Sequence, residues 1–246
     1  MHGVFGEDGS IQEILDKNNI IYNGSPSSSS KNCFDKNFTK VIAQDNDIST
    51  PRSTTIDRQS AKIGIFVWSR FDSLKFSKCV IKPNKQGSSI GFSIINDGKE
   101  IEDALQSVFE HDSVALIEDY IEGREITVSI LDKQALPVID IQPNHGIYDY
   151  RAKYTKGETQ YICPAQIDSS LSIEIQNAAL KVHQLLDCKV YSRVDFRLDK
   201  NNKFWLLEIN TLPGMTETSL FPMAAKAVGL SFEDLIDKII KLSLEK

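Results

Sequence analysis

The stretch from residue 193 to residue 219 constrains the fold of this chain most strongly. It predicts two antiparallel strands, because alternating runs flank a short polar turn at residues 199–202. If those four residues close a regular hairpin, Leu198 pairs with Lys203, and every other pair of the hairpin follows from that one.

Side chains alternate between the two faces of a strand, so this register fixes which residues share a face. Arg193 then lies opposite Glu208, and Asp195 lies opposite Leu206. One face gathers a guanidinium, two carboxylates and the amide of Asn210. The other face is apolar throughout and predicts a wall of the core, formed by Val194, Phe196, Leu198, Trp205, Leu207 and Ile209.

The polar face predicts a site for Mg²⁺ or Mn²⁺, because both ions prefer hard oxygen ligands. Mg²⁺ keeps coordination positions open for water and nucleotide phosphates. The adjacent Arg193 can bind phosphate or carboxylate through two parallel hydrogen bonds. A surface strand pair with an incidental salt bridge is the alternative. The apolar opposite face and the loop at residues 212–216 favour the metal–phosphate site.

Composition narrows the class of protein. The chain has 246 residues, enough for one large core or two smaller ones, with 41% hydrophobic and 25% charged residues as in ordinary globular proteins. A net charge of −6 argues against nucleic-acid binding.

No long apolar run or signal-peptide pattern occurs, so we expect no membrane span. Four scattered cysteines predict free thiols in a reducing cytoplasm: Cys33, Cys79, Cys163 and Cys188.

A second candidate site follows the predicted strand at residues 79–83. The loop at residues 85–91 offers small residues, backbone N–H groups and two hydroxyls between two strands. Glycines let a backbone approach phosphate oxygens closely, and successive N–H groups form an anion-binding concavity. Such a string is also ordinary turn chemistry for a hairpin.

The remaining pattern predicts an alternation of helices and strands. Residues 25–30 are rich in Pro and Ser and predict a domain boundary. Apolar spacing predicts helices at 34–43, 101–109 and 171–186, and a last helix starting at Ser231 with Asp234 completing a capping box. We expect His183 in the third of these helices to be structural. Predicted strands lie at residues 20–22, 91–95, 114–118, 126–131 and 135–141.

Five motifs, in order along the chain, resemble those of the D-alanine–D-alanine ligases, which belong to the ATP-grasp superfamily. H-G-x-x-G-E-D-G-x-x-Q begins at His2, I-K-P precedes G-S-S-x-G at residues 81–91, and E-x-x-x-x-G-x-E begins at Glu118. Y-D-Y-x-A-K-Y spans residues 148–154. R-x-D begins at Arg193 and is followed by E-x-N-T-x-P-G-M-T.

The resemblance implies an α/β (α+β) ATP-grasp fold. Two ATP-grasp subdomains would follow a remnant of an α/β N-terminal domain. The remnant would span residues 1–33, the central subdomain 34–117, and the C-terminal subdomain 118–246. The last of these would contain the metal site and a mobile loop over the active site.

The resemblance also implies ATP-dependent joining of two D-alanines through an acyl phosphate, with two Mg²⁺ (or Mn²⁺) ions, for peptidoglycan precursors in the cytoplasm. A homodimer is compatible with it. Implied metal ligands are Asp195, Glu208 and Asn210, and implied ATP contacts are Lys40, Lys82, Ser89, Glu118, Ile121, Glu125 and Lys153. Implied catalytic residues are Ser88, Tyr154, Arg193 and Gly214, and implied amino-acid contacts are His2, Glu7, Ser219 and Leu220.

Two alternatives remain open at this stage. The chain could be another ATP-grasp ligase, one that makes D-alanyl-D-lactate or joins other amino acids. Tyr154, in the loop that begins at Tyr148, favours a dipeptide-forming ligase by the same resemblance. A truncated nucleotide-binding remnant without ligase activity is the other alternative. Family members carry further strands before the first motif. We therefore expect exposed apolar surface in residues 1–33, retained nucleotide binding, and very low or no ligase activity from this chain alone.

Overall fold

A computed structural model describes residues 3–61, 78–146, 148, 152–153, 155 and 157–245. Its helices are α1 Ser10–Lys17, α2 Ser27–Phe34, α3 Lys36–Asp45, α4 Arg58–Ala61, α5 Ile101–Phe109, α6 Ser169–Leu185, α7 Leu220–Ala227 and α8 Phe232–Leu244. Its strands are β1 Ser53–Asp57, β2 Cys79–Pro83, β3 Ser93–Ile95, β4 Val114–Asp119, β5 Gly123–Leu131, β6 Gln134–Ala135, β7 Ile139–Pro143, β8 Thr159–Ile162, β9 Tyr191–Asp199 and β10 Phe204–Asn210.

The first sheet is antiparallel and has the strand order β1-β4-β2-β3. Helix α5 covers one face with the apolar residues that its spacing predicted, and Ile101 and Val108 are almost fully buried. Strand β2 has the predicted bounds. Strand β3 begins later than predicted, because Ser88, Ser89 and Gly91 have φ values of 56°, 58° and 66°, which are incompatible with a strand.

The second sheet has the strand order β10-β9-β5-β7-β8, and β6 pairs with β5. Helix α6 packs against one face, where Ile175 and Val182 join Val128 and Phe196 in the core. The single strand predicted at residues 135–141 is divided into β6 and β7, since Pro137 has no N–H to continue the ladder.

The register of the β9–β10 hairpin differs from the prediction. The N–H of Asp199 donates to the carbonyl of Lys203 at 2.9 Å, so a three-residue loop connects the strands and Leu198 pairs with Phe204. Asn202 in this loop has a φ of 61°. The Asp199 carboxylate accepts from the N–H of Asn201 at 2.8 Å and that of Lys203 at 3.0 Å. The short Asp199 side chain accepts hydrogen bonds from its own turn and so stabilises a three-residue loop in place of the expected four-residue loop.

A β-bulge at Leu207 then shifts the register a second time. Leu206 pairs with Phe196, whereas Glu208 pairs with Asp195. In an unbroken ladder Glu208 would lie opposite Val194, on the core face. The extra residue therefore moves the Glu208 carboxylate to the face of Asp195.

The predicted pairs and part of the predicted apolar face were therefore wrong. Arg193 lies opposite Asn210 rather than Glu208, and Asp195 lies opposite Glu208 rather than Leu206. On β10 the core residues are Phe204, Leu206 and Ile209, in place of Trp205 and Leu207. The apolar side chains of β9 face the core as predicted, with Val194, Phe196 and Leu198 almost fully buried.

The N-terminal segment corrects one prediction. Residues 27–30, within the predicted domain boundary, are helical, because α2 begins at Ser27, and the Ser29 hydroxyl donates to the Asp187 carbonyl at 2.7 Å. Residues 20–22 form no strand, and Ile20 and Ile21 are 52% and 66% exposed. The expectation of exposed apolar surface in this segment is confirmed, with Val4, Phe5 and Ile14 also exposed. The helix predicted at 34–43 is α3, displaced by two residues, and α2 before it was not predicted.

The helices predicted at 101–109, at 171–186 and from Ser231 agree with α5, α6 and α8. Ser231 caps α8, and its side chain accepts from the N–H of Asp234 at 3.1 Å while Asp234 accepts in return. The imidazole of His183 is buried, with Nδ1 2.7 Å from the Ser192 hydroxyl. Among the described residues no helix is both long and apolar enough to cross a membrane.

We expect the free energy of unfolding to depend on the protonation of His183. Burial, followed by the charge of Lys189, lowers the His183 pKa from 6.5 to about 4. The unfolded chain therefore binds a proton more readily, and stability falls as the pH drops from above 6.5 toward 4. Between pH 7 and pH 5 this one group should remove about 2 kcal/mol. Urea unfolding at both pH values measures the loss. His183→Gln should show a correspondingly smaller loss, and equal losses in the two proteins would contradict the assignment.

Candidate active site

A cleft with about 890 Å³ of empty space lies between the two sheets. Its apolar lining includes Val80, Phe92, Ile94, Tyr120, Ile121 and Leu207. Its charged lining includes Lys36, Lys82, Glu118, Glu125, Lys153, Asp195, Arg197 and Glu208. An apolar wall next to clustered lysines suits a ligand that has a flat, weakly polar part and an anionic part.

Four of these charged residues come from the face of β5, β9 and β10 that lies opposite the core. Both oxygens of Asp195 accept from Arg193, Oδ1 from Nε at 2.9 Å and Oδ2 from Nη2 at 2.8 Å. Oδ1 also accepts from the Thr127 hydroxyl at 2.5 Å. Burial opposes the charge of Arg193, but the Asp195 carboxylate outweighs it and raises the pKa of Arg193 well above its usual value. Arginine is therefore a permanent cation here.

Glu208 lies beside this pair because of the bulge. Its Oε2 is 3.3 Å from Nζ of Lys36. Burial acts to raise the pKa of Glu208, but Lys36, Lys153, Lys82 and Arg193 together lower it to about 2. Asn210 continues the row along β10, and its Oδ1 accepts from the N–H of Leu212 at 2.8 Å.

The oxygens of this row fit a metal ion in their chemistry. The described residues contain no group of three or more His, Cys, Asp or Glu side chains arranged to hold an ion. A site here therefore needs the amide oxygen of Asn210 beside Asp195 and Glu208, with water or phosphate completing the coordination. Mg²⁺ accepts such a set of one or two carboxylates plus phosphate oxygens.

Glu118 is buried between two lysines at the other side of the cleft. Its Oε1 is 2.5 Å from Nζ of Lys82, and its Oε2 is 2.8 Å from Nζ of Lys40. Burial raises the pKa of Glu118, but the two ammonium groups lower it to about 2. Lys40 is 1% exposed and donates to Thr50 at 2.7 Å. Lys82 and Glu118 line the cleft, whereas Lys40 lies behind them.

Glu125 lies further along the same cleft. Its Oε2 is 3.6 Å from Nη1 of Arg197, whose Nε donates to the Ile121 carbonyl at 3.2 Å. Burial raises the pKa of Glu125 to about 7, and the charges of Asp195 and Glu208 add to this, although Lys153 and Arg197 oppose it. This carboxyl group is thus poised to exchange a proton near neutral pH.

The loop after β2 meets the segment before β8 over the cleft. Nζ of Lys153 donates to the Ser89 hydroxyl at 2.9 Å, and that hydroxyl donates to the Tyr148 carbonyl at 3.3 Å. The Lys153 ammonium also lies 5.1 Å from the centre of the Tyr148 ring. The Tyr148 hydroxyl is 3.1 Å from that of Tyr161 on β8. This chain of contacts holds Lys153 against the loop.

A second cleft adjoins the first and has about 1480 Å³ of empty space. It is lined by the predicted residues Glu7, Ser88, Arg193, Glu208, Asn210, Gly214, Ser219 and Leu220. Ser219 precedes α7, and its hydroxyl accepts from the N–H of Thr216 at 3.1 Å. A Cβ at Gly214 would lie 3.0 Å from that hydroxyl, so a side chain would crowd it. The N-terminus of α7 faces this cleft and favours an anion there.

The structure thus brings most of the predicted residues together in two adjoining clefts. Lys40 does not line either cleft, and His2 and Tyr154 lie outside the described residues. Sequence reasoning missed four lining or supporting side chains: Lys36, Thr127, Tyr161 and Arg197. Arg197 had a detectable signal, because it follows Arg193 and Asp195 at the same two-residue spacing along β9. No local pattern marks Lys36.

Comparisons with known proteins show the family of this chain. The family described as "D-ala D-ala ligase C-terminus" matches residues 43–241. The chain belongs to the D-alanine–D-alanine ligase family. A D-alanine–D-alanine ligase of Methylacidiphilum infernorum (isolate V4) is 46% identical over 243 residues, which are 99% of this chain and 77% of that protein.

Solved ligase structures share the fold. The D-alanine–D-alanine ligase of Bacillus anthracis in complex with ATP superposes with a TM-score of 0.85 at 36% identity, covering 100% of this chain and 77% of that one. The VanG D-Ala:D-Ser ligase of Enterococcus faecalis gives a TM-score of 0.89 at 32% identity, covering 98% and 71%. The α/β ATP-grasp fold expected from the sequence is therefore confirmed for this member of the ligase family.

We expect Glu118→Gln to destabilise this ligase-family chain strongly. In the variant Lys40 and Lys82 remain buried, but a neutral amide replaces the carboxylate between them. The free energy of unfolding should therefore fall by about 3–5 kcal/mol. Urea unfolding at pH 7 measures the change.

The neighbouring pair of Arg52 and Asp119 supplies a matched control, since these side chains are 50% and 31% exposed. Asp119→Asn should cost less than about 1 kcal/mol. If the two variants lost the same stability, Glu118 would not be the anchor of a buried network.

Proposed function

We propose that this chain joins two D-alanine molecules into D-alanyl-D-alanine with hydrolysis of ATP to ADP and phosphate, a step in making peptidoglycan precursors. The supporting observation is that a cleft suited to a nucleotide adjoins a polar cleft suited to amino acids. Glu208, Lys153 and Gln86 line both clefts. The γ-phosphate of a nucleotide and the carboxylate of an amino acid would meet at these residues.

The proposed reaction has two steps. A carboxylate oxygen of the first D-alanine attacks the γ-phosphorus of ATP, which forms an acyl phosphate and releases ADP. The amine of the second D-alanine then attacks the acyl carbon, and the tetrahedral intermediate loses phosphate while the amine proton leaves. Both steps build negative charge on oxygen, so fixed cations and N–H donors should provide most of the catalysis.

We propose that the first cleft binds ATP. Lys82, Lys153 and Ser89 would bind the phosphates, and Glu118 with the backbone at Ile121 would bind the adenine. Glu125 would bind the ribose hydroxyls. Lys40 would add its charge from behind Glu118.

The second cleft would bind the amino acids. The Arg193 guanidinium and the Gly214 N–H would stabilise the oxyanion of the tetrahedral intermediate. The Ser219 hydroxyl and the Leu220 N–H, at the start of α7, would bind the carboxylate of the second D-alanine. Glu7, with its carboxylate 2.5 Å from the N–H of Gly3, would lie near the first D-alanine, as would His2. Ser88 would orient the loop over the active site, and the same role is proposed for Tyr154, which lies outside the described residues.

Asp195, Glu208 and Asn210 would hold two Mg²⁺ (or Mn²⁺) ions, which supply charge neutralisation between the ATP phosphates when bound. Arg193 already occupies both oxygens of Asp195, so the carboxylate would use its remaining lone pairs. Glu208 keeps its negative charge for this role because the surrounding lysines hold its pKa near 2.

We further propose the domain bounds 1–33, 34–117 and 118–246. The first sheet spans residues 53–119 and so passes the second bound by two residues, whereas the second sheet lies within residues 123–210. Free thiols at the four cysteines support a cytoplasmic location. A homodimer is also proposed, with exposed apolar side chains available for contact at Val4, Phe5, Ile20 and Ile21.

Product analysis tests the proposed function. We expect D-alanyl-D-alanine as the main product when D-alanine, D-serine and D-lactate are offered together with ATP and Mg²⁺ at neutral pH. Mass spectrometry of long incubations detects even slow formation, and a reaction without ATP is the control. D-Serine is included because a D-Ala:D-Ser ligase shares the fold. Mainly D-alanyl-D-serine or the ester would overturn the assignment of the second substrate.

Glu208→Gln tests the proposed metal site. The side chain lies on the face opposite the core, so the fold should persist, while loss of its charge should lower D-alanine-dependent phosphate release by at least about 100-fold. Glu174→Gln removes the same charge from the exposed surface of α6 and serves as the control. Phosphate release near the wild-type rate in Glu208→Gln would contradict the metal assignment.

A further inference from the structure

Lys36 is the first residue of α3, and its side chain is only 8% exposed. It lines both the nucleotide cleft and the amino-acid cleft. The mechanism above gives it no role, although it supplies a buried positive charge where the two clefts meet. A buried ammonium is costly unless each of its donors has a partner, so its partners indicate what it does.

The main chain at Lys36 is tied to the loop after β2. Its N–H donates to the Asn84 carbonyl at 3.2 Å, and the next N–H, of Asn37, donates to the Asn84 side-chain oxygen at 2.8 Å. The Asn84 amide in turn donates to Asp35, the N-cap of α3, at 2.9 Å. These bonds fix the start of the helix against the loop that contains Ser89.

The side chain of Lys36 extends this connection to the other sheet. Nζ donates to the Gln86 carbonyl at 2.5 Å and lies 3.3 Å from Oε2 of Glu208. Gln86 belongs to the loop of the first sheet, and Glu208 belongs to β10 of the second. One ammonium therefore spans the boundary between the two sheets, at the place where phosphate must pass to the amino acid.

We propose that Lys36 is a positioning residue of the ligase reaction, whose ammonium holds the Gln86 carbonyl and the Glu208 carboxylate in a fixed relation. This rests on the function proposed above. Ser89 stands on the side of the first sheet, and Lys153, Asp195 and Glu208 stand on the side of the second. A relative displacement of about 1 Å between groups that must act together lowers the rate of such a reaction about 100-fold.

Three substitutions separate the parts of this role. Lys36→Met keeps the bulk of the side chain and removes both the charge and the donor. Lys36→Gln keeps a donor for the Gln86 carbonyl and removes the charge facing Glu208. Lys36→Ala leaves space beside an open cleft for a small alkylammonium ion. Lys31→Met removes one charge from the exposed side of α2 and is the matched control.

The first readout is turnover with product detection by mass spectrometry. Lys36→Met should lower kcat about 100-fold while KM for ATP changes by less than about 3-fold, because alignment is lost rather than nucleotide binding. Methylammonium or ethylammonium should restore part of the turnover of Lys36→Ala and leave the wild type and Lys31→Met unchanged. A kcat of Lys36→Met within about 2-fold of the wild type, or a loss confined to KM for ATP, would overturn the proposal.

The second readout needs no catalysis. Without substrates, amide hydrogen exchange at residues 85–92 and 207–210 should be faster in Lys36→Met than in the wild type, and unchanged in Lys31→Met. Unchanged exchange in Lys36→Met would contradict a positioning role. If Lys36→Met does not fold, Lys36→Gln undergoes the same two measurements and decides the question. A wild-type chain that forms no dipeptide would refute the proposed function, whereas the exchange result would still decide the role of Lys36.

Discussion

The bulge at Leu207 is the constraint on which the active site depends. It places Glu208 beside Asp195 instead of against Val194, and so collects the acidic row on one face of the second sheet. The opposite face remains free to bury Phe204, Leu206 and Ile209 against α2, α3 and α6. A single extra residue thus allows one hairpin to serve both as core and as the acidic wall of the candidate site, which a regular two-residue repeat could not do in this sequence.

Collecting so much charge inside a cleft requires compensation. Glu118 is held between Lys40 and Lys82, Asp195 is bound by Arg193, and Glu208 lies beside Lys36. Such pairs add little net stability, since desolvation offsets most of their attraction. Their effect is to keep carboxylates ionised and cations fixed before a substrate arrives. Fixed charges are what a phosphoryl transfer requires, because they need no rearrangement as negative charge develops.

The two clefts join along a line of residues that come from distant parts of the chain. Lys36 begins α3, Gln86 and Ser89 follow β2, Lys153 precedes β8, and Glu208 is on β10. Hydrogen bonds between these segments, including those of Lys36 to Gln86 and of Lys153 to Ser89, connect the sheets at the site itself. The geometry of the reaction centre is therefore decided by contacts between the sheets rather than by either sheet alone.

The sequence by itself determined the elements and the chemistry: β2 with its loop, the helices α5 and α8, the apolar side of β9, and the motifs that resemble the ligase family. These follow from local periodicity, caps and residue type, which a short window contains. Only the tertiary structure decided the hairpin register, the burial of Lys40 behind Glu118, and the place of Lys36. The register depends on the hydrogen bonds of the Asp199 side chain and on one bulge. A one-residue shift of the register exchanges the two faces of a strand. Lys36 gains its partners from residues 50 and more positions away, and no local pattern encodes contacts at that separation.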